Sequence, residues 1–232
     1  MHLISHSWNL DYNEAVRLQE ALAEKVSIRS VSKQIRFVAG GDISFNLQSK
    51  TAFSGFVVYD IINDTVVEQV SATSELKYPY IPGLLSFREI PPLLEAWRLL
   101  PSEPDVYMLD GHGIAHPRKL GLASHFGLWV DKPTIGCAKN LLAGTYREPG
   151  KNKGEASILW DEDESSKLGY VVRTRTDVKP VFVSPGHNIN FEQAVDIALR
   201  CSPRYKIPEP IRRAHKLVNK KRKEYYQTKN LH

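Results

Sequence analysis

Three apolar, β-branched runs follow one another between residues 35 and 73, and they constrain the fold more than anything else in the chain. They read IRFVAGGDISF, AFSGFVVYDI and TVVEQVSAT, the last two joined through the turn pair Asn63-Asp64. Such runs are strands, and the short turn makes the second and third antiparallel. Downstream, strands alternate with helices. The segment IPPLLEAWRLL predicts a helix with prolines in its first turn; DVYMLD and KPTIGCA predict strands, with AKNLLAGT helical after the second. Two strands about an acidic turn fit ASILWDEDESSKLGYVVRTR, and another fits KPVFVSPGH. Asn190 is placed to cap the helix FEQAVDIALR, and a last helix starts near Pro210. Ahead of all this, DYNEAVRLQEALAEKV sets Ala15, Leu18, Leu22 and Val26 along one face, with Asp11 and Glu14 as a capping box. A hairpin first and alternation afterwards imply one mixed α/β sheet with helices on its faces.

The chain has 232 residues, no internal repeat and no linker, which suits a single domain over 1–232. Cys137 and Cys201 form no CxxC and no framework, so both are expected as buried apolar residues in a reducing compartment. The N-terminus lacks the basic and apolar regions of a signal peptide, and no apolar run reaches ~18 residues. A cytoplasmic protein without membrane contact is the expectation. The net charge of +5 is unevenly placed. Residues 204–232 hold ten Lys or Arg against two Glu, leaving the rest slightly acidic. The basic tail, from about 216 to 232, has two readings: contact with a polyanion, or a solvated helix end.

Three acids interrupt otherwise apolar surroundings. Asp42 stands inside FVAGGDISF, Asp110 closes VYMLD, and Glu89 begins the helix after FRE. A charge in a core strand costs several kcal/mol unless compensated. For either aspartate alone, pairing with Arg or capping a turn suffices. For both on central strands, a hard divalent cation is the better account. Gly111, directly after Asp110, leaves room for a backbone or ligand to approach. His112 and His116 have the i, i+4 spacing of a zinc pair, but Gly111, Gly113 and Pro117 make a helix there unfavourable, so zinc is not implied. His112 and His125 have no chemical role on this reading, whereas His116, beside Pro117-Arg118-Lys119, is placed to meet phosphate. Lys139 either begins a solvated helix or faces the carboxylates. His215 on its own reads as a surface or packed histidine. In KYPYIPG, Pro79 and Pro82 stiffen the chain around Tyr80. That rigid aromatic suits stacking on a nucleobase or packing as a lid.

Taken in order, GGDISF, YPYIPGLLSFRE, LDGHGIAHPRKLGLASHFG, IGCAKNLL, VFVSPGHNI and RRAH resemble the endonuclease V family from about residue 12 to 220. The resemblance implies a ribonuclease H-like fold, a mixed sheet of about five main strands with the antiparallel hairpin first. It implies a DNA repair endonuclease acting on deoxyinosine, and in many relatives on inosine in RNA. Cleavage would fall at the second phosphodiester bond 3′ to the lesion, leaving 3′-hydroxyl and 5′-phosphate ends, with Mg²⁺ or Mn²⁺ required. Carried onto this chain, Asp42 and Asp110 become metal-binding aspartates and Glu89 the third acid. Lys139 would lie beside the scissile phosphate and His215 beside the metal. Tyr80 would be a wedge filling the gap left by a displaced base. Gly83 and Leu85 would border the base pocket, with Gly111 and His116 near the strand. A monomer is implied. Two other readings stand beside this one: a structure-specific ribonuclease H-like nuclease on branched or single-stranded nucleic acid, and a non-catalytic binding module of the same fold.

Overall fold

The computed structural model describes residues 4–229; the last three residues of the basic tail lie outside them. The predicted hairpin and its preceding strand form β1 (Phe37–Asn46), β2 (Thr51–Asp60) and β3 (Thr65–Glu75), an antiparallel meander. Helix α1 (Tyr12–Ala23) precedes it, with the Asp11–Glu14 capping box formed. Then come α2 (Leu85–Trp97), β4 (Val106–Leu109), α3 (Leu122–Val130) and β5 (Thr134–Ala138). Strands β6 (Thr145–Tyr146), β7 (Ala156–Trp160), β8 (Lys167–Val172) and β9 (Val181–His187) follow, then α4 (Phe191–Arg200) and α5 (Glu209–Lys229).

All nine strands make one sheet in the order β3-β2-β1-β4-β5-β9-β8-β7-β6. Strands β1, β4 and β5 are mutually parallel, and β9 returns antiparallel on β5. The five expected strands are the first five positions, extended by four more at the β5 edge. Successive residues alternate between two cores, as strand geometry demands. Val38, Val106, Met108 and Ile135 face α4 and α5, with Ile197 and Ile211. Ala39, Tyr107 and Leu109 face α2 and α3, with Ile90, Leu93 and Phe126. Cys137 and Cys201 are both buried and free.

Three local expectations change. Helix α2 begins at Leu85, so Pro91 and Pro92 lie inside it rather than in its first turn. Two backbone hydrogen bonds are forgone there, and burial of Phe87, Ile90, Leu93 and Leu94 holds the helix. Helix α3 lies within the polar-looking stretch after Asp110; eight of its nine residues are buried, so it shows no amphipathic stripe to read. The predicted helix AKNLLAGT is instead a loop running to β6. Gly144 sits there at φ +89, where an added Cβ would stand 2.0 Å from the Trp160 carbonyl oxygen.

Helix α5 crosses β1 and β2 at very short range because glycine lies beneath it. A Cβ on Gly40 would stand 2.1 Å from the Pro210 carbonyl carbon, and one on Gly55 would stand 3.1 Å from Leu217. Gly40→Ala should therefore destabilise the protein by about 1–3 kcal/mol and lift α5. Urea unfolding measures the loss.

Candidate active site

The parallel pairing of β1 with β4 runs from Val38↔Val106 to Gly41↔Leu109. One step further on each strand brings Asp42 beside Asp110, on neighbouring strands about 4.8 Å apart. Glu89 enters from α2 and is close enough to feel both. Burial pushes the Glu89 carboxyl up to about 8, and the negative charges of Asp42 and Asp110 add to the rise. Burial likewise raises Asp42, with the Asp110 charge second, against the Ile43 N–H and His215, which favour the carboxylate. Like charges have been brought together where water screens them poorly.

Two cationic or donor groups meet this cluster. Lys139, just beyond β5, puts Nζ 2.5 Å from Asp110 Oδ2. Burial works against its charge, but the hydrogen bond and charge of Asp110 outweigh it and raise the Lys139 pKa. His215, on the α5 face above β1, places Nδ1 2.8 Å from Asp42 Oδ2. Asn219 Nδ2 donates to His215 Nε2 at 3.0 Å, and Ser44 Oγ donates to Asn219 Oδ1 at 3.1 Å. That chain leaves the His215 proton on Nδ1, donating to Asp42. Sequence reading missed Asn219 and Ser44. Their signals are the i, i+4 spacing of His215 and Asn219 on one helix and the two-residue step from Asp42 to Ser44 on one strand face.

Among the described residues, no three His, Cys, Asp or Glu side chains are drawn together as a ready-made ion cage. The donor set still fits a hard divalent cation. It is all oxygen, and burial, then the neighbouring negative charge, raises two of its three carboxylates. Mg²⁺ takes one or two carboxylates plus waters and substrate phosphate, and does not require a protein cage.

Beside the carboxylates is a cavity of about 160 Å³, lined by Tyr80, Gly83, Leu85, Ser86, Gly111, His112 and His116 among others. It is smaller than the ~300–1,000 Å³ of a drug-sized site, and so suits one ring system. Tyr80 stands 65% exposed at its mouth. The wall is fixed by the Gly83 carbonyl, which accepts from Gln19 Nε2 at 3.0 Å, His116 Nε2 at 3.1 Å and Arg118 Nη2 at 2.7 Å. Gly83 itself has φ +78, and a Cβ there would stand 2.7 Å from Arg118 Nη2. His116 also accepts from the Arg118 N–H through Nδ1 at 3.2 Å. Both its nitrogens are used, and burial, then the Arg118 charge, lowers its pKa to about 4. The phosphate contact expected of His116 has no free nitrogen here; it shapes the cavity instead. Arg118 is turned to the same wall, its Nε donating to Gln19 Oε1 at 2.6 Å. Buried His112 donates through Nε2 to the Asn140 carbonyl at 3.0 Å, leaving Nδ1 unpartnered. Buried His125 is a wall support, bonded to Ser86 and His6.

Carboxylates at the ends of adjacent parallel strands in a mixed α/β sheet flanked by helices, answered by a lysine and a histidine, define a class of protein with an acidic site suited to a hard divalent cation. Comparison with known proteins narrows the class. The chain belongs to the endonuclease V family, whose profile, "Endonuclease V", matches residues 20–216. An endonuclease V from Dictyoglomus turgidum is 46% identical over 204 residues, 88% of each chain. The crystal structure of endonuclease V from Streptomyces avermitilis superposes with TM-score 0.90 at 37% identity, covering 97% of this chain and all of that one. Endonuclease V of Ciona intestinalis, solved in complex with a 23mer DNA containing an inosine followed by a ribo-adenosine, superposes with TM-score 0.82 at 32% identity, covering 92% and 97% of the two chains.

The raised carboxyl of Glu89 has a consequence for stability. An unfolded glutamate titrates near 4.5 and the folded one near 8, so between these values the folded state holds a proton that the unfolded state has lost. Stability of the metal-free protein should fall as pH rises through this window. Glu89→Gln should flatten that fall and raise the melting temperature at pH 8, read by thermal unfolding in chelator.

Proposed function

We propose that this protein is a divalent-metal-dependent endonuclease that extrudes hypoxanthine from DNA, or from RNA, and hydrolyses the second phosphodiester bond 3′ to it. One observation carries the reading: a ring-sized cavity with an exposed tyrosine at its mouth opens next to the paired carboxylates of adjacent strands. The Ciona relative bound to inosine-containing DNA supports the choice of base.

Asp42, Asp110 and Glu89 would hold Mg²⁺ or Mn²⁺. When bound, the cation supplies Lewis acidity at the phosphate and lowers the pKa of water. The chain's own groups do the rest. Lys139 exchanges Asp110 for the phosphate oxygens as charge grows on them. His215, held by Asn219, keeps Asp42 oriented. Water oxygen joins phosphorus, the bond to the 3′ oxygen breaks, and that oxygen leaves with a proton, giving 3′-hydroxyl and 5′-phosphate ends. Tyr80 fills the vacated stack, which recovers ~1–3 kcal/mol of the flipping cost. Leu84, the α2 N-cap, makes no side-chain capping bond. The Phe87 N–H bonds the Leu84 carbonyl, which leaves the N–H groups of Leu85 and Ser86, two residues that line the cavity, to suit the hypoxanthine O6. Residues 1–232 act as one domain, and the protein works as a cytoplasmic monomer. No helix among the described residues is long and apolar enough to cross a membrane.

The exposed side of α5 supports strand contact outside the centre. His215, Lys216, Asn219, Lys220 and Lys223 border one open hollow there. The phosphate backbone is its proposed occupant.

Two measurements test this reading. Matched nicking assays on inosine-containing DNA, inosine-containing RNA and adenine controls, with Mg²⁺ and with chelator, should show metal-dependent cuts confined to inosine substrates. Asp110→Asn should lower the cleavage rate by ~10³-fold or more while inosine DNA still binds; cleavage at the wild-type rate rejects the assignment. Replacing Lys220 and Lys223 together by Gln should reduce the salt slope of binding by about 2 and leave the cut position unchanged.

A further inference from the structure

A line of three side chains runs from the cavity wall to the N-terminal segment and has no part in the chemistry above. Ser86 Oγ lies 2.9 Å from His125 Nδ1, His125 Nε2 lies 2.9 Å from His6 Nε2, and His6 Nδ1 lies 2.8 Å from the Ser7 carbonyl oxygen. The carbonyl fixes every proton in the line, because it only accepts. His6 Nδ1 therefore carries hydrogen, and in a neutral ring its Nε2 is bare. His125 Nε2 must then be the donor between the two rings, which leaves His125 Nδ1 bare. Ser86 consequently donates its hydroxyl hydrogen to His125. Burial favours the neutral form of both imidazoles: it lowers the pKa of His6 against the Ser7 hydrogen bond, and lowers that of His125 well below the usual range. The rings are held among Trp8, Phe87 and Trp129, with ring centroids 4.4–6.1 Å apart.

With its hydrogen spent, Ser86 has only lone pairs left for the cavity it lines. The neighbouring Gly83 carbonyl cannot share the task, since three donors already occupy it. We propose that Ser86 is a specificity-determining residue, a hydroxyl locked as a pure acceptor by His125 and His6, which reads the N1–H of a 6-oxopurine and rejects a purine whose N1 is a bare lone pair. This rests on the assignment of hypoxanthine as the extruded base. Hypoxanthine presents a 6-oxo acceptor beside an N1–H donor. Leu85 and Ser86, both lining the cavity, can supply the complement: a backbone N–H from the first turn of α2 and the Ser86 lone pairs in the same turn. Adenine carries the reverse pattern, and its N1 would face Ser86 lone pair to lone pair. His125 and His6 act through Ser86 and are positioning residues. The unpartnered Nδ1 of His112 is the other bare acceptor at the wall, and the test below separates the two.

The test uses single-stranded oligonucleotides carrying hypoxanthine, adenine or unsubstituted purine at one position, with single-turnover cleavage as the readout. Unsubstituted purine has a bare N1 and no 6-oxo group. In Ser86→Ala, the preference for hypoxanthine over purine and over adenine should fall about tenfold or more. Loss of folded enzyme lowers all three rates together and cancels from these ratios. His6→Phe should lower the same preference in the Ser86 enzyme and have no further effect in Ser86→Ala, because the line then ends on nothing. Preference kept within twofold in Ser86→Ala overturns the assignment and passes the role to His112. Independent, additive effects of the two substitutions overturn the relay. Wild-type enzyme with no preference for hypoxanthine overturns the base assignment itself, which separates that failure from this one.

Discussion

Three carboxylates held close together out of water repel one another, and much of the molecule is arranged around that repulsion. The cost of burying them is met from outside the strands that carry them. Lys139 arrives from the end of β5 against Asp110, and His215 arrives from α5 against Asp42. Glu89 has no such partner, and burial, then the charges of Asp42 and Asp110, raises its pKa to about 8. An uncharged isostere at Glu89 would relieve that repulsion, since an unpaired buried charge is poor stabilisation. On the function proposed above, a cation and a phosphate are what would complete the arrangement.

Backbone pairing sets the spacing within this cluster. Asp42 and Asp110 follow the last paired residues of β1 and β4, so their separation is the inter-strand distance of a parallel ladder and owes little to side-chain packing. Glu89 and His215, by contrast, come from helices, and their approach depends on how closely those helices dock.

The strands and the acids at their ends were legible because a buried strand signals itself by continuous apolar content, and a charge within it is conspicuous. Asp42, Asp110 and Glu89 stood out against Val, Ile and Leu, and the hairpin through Asn63-Asp64 was explicit. Helix α3 was hidden for the opposite reason: a helix buried on all sides has no polar face to give it a period. Pro91 and Pro92 obscured the true start of α2, which tertiary burial rather than local preference sustains. His116 and Arg118 looked like phosphate ligands because sequence gives their type and not their partners. In three dimensions both close on the Gly83 carbonyl, a residue 33 and 35 positions away. The Ser86–His125–His6 line was equally invisible, since its members are 39 and 119 positions apart.

Helix α5 joins two duties that most proteins keep on separate elements. Its inner side, resting on Gly40 and Gly55, closes the core over β1 and β2, while its outer side gathers lysines next to His215. On the function proposed above, attraction between those lysines and a polyanion would pull on the same rod that keeps His215 against Asp42. Grip on the strand and readiness to cut would then be mechanically one property, and a change that loosens either would be felt in the other.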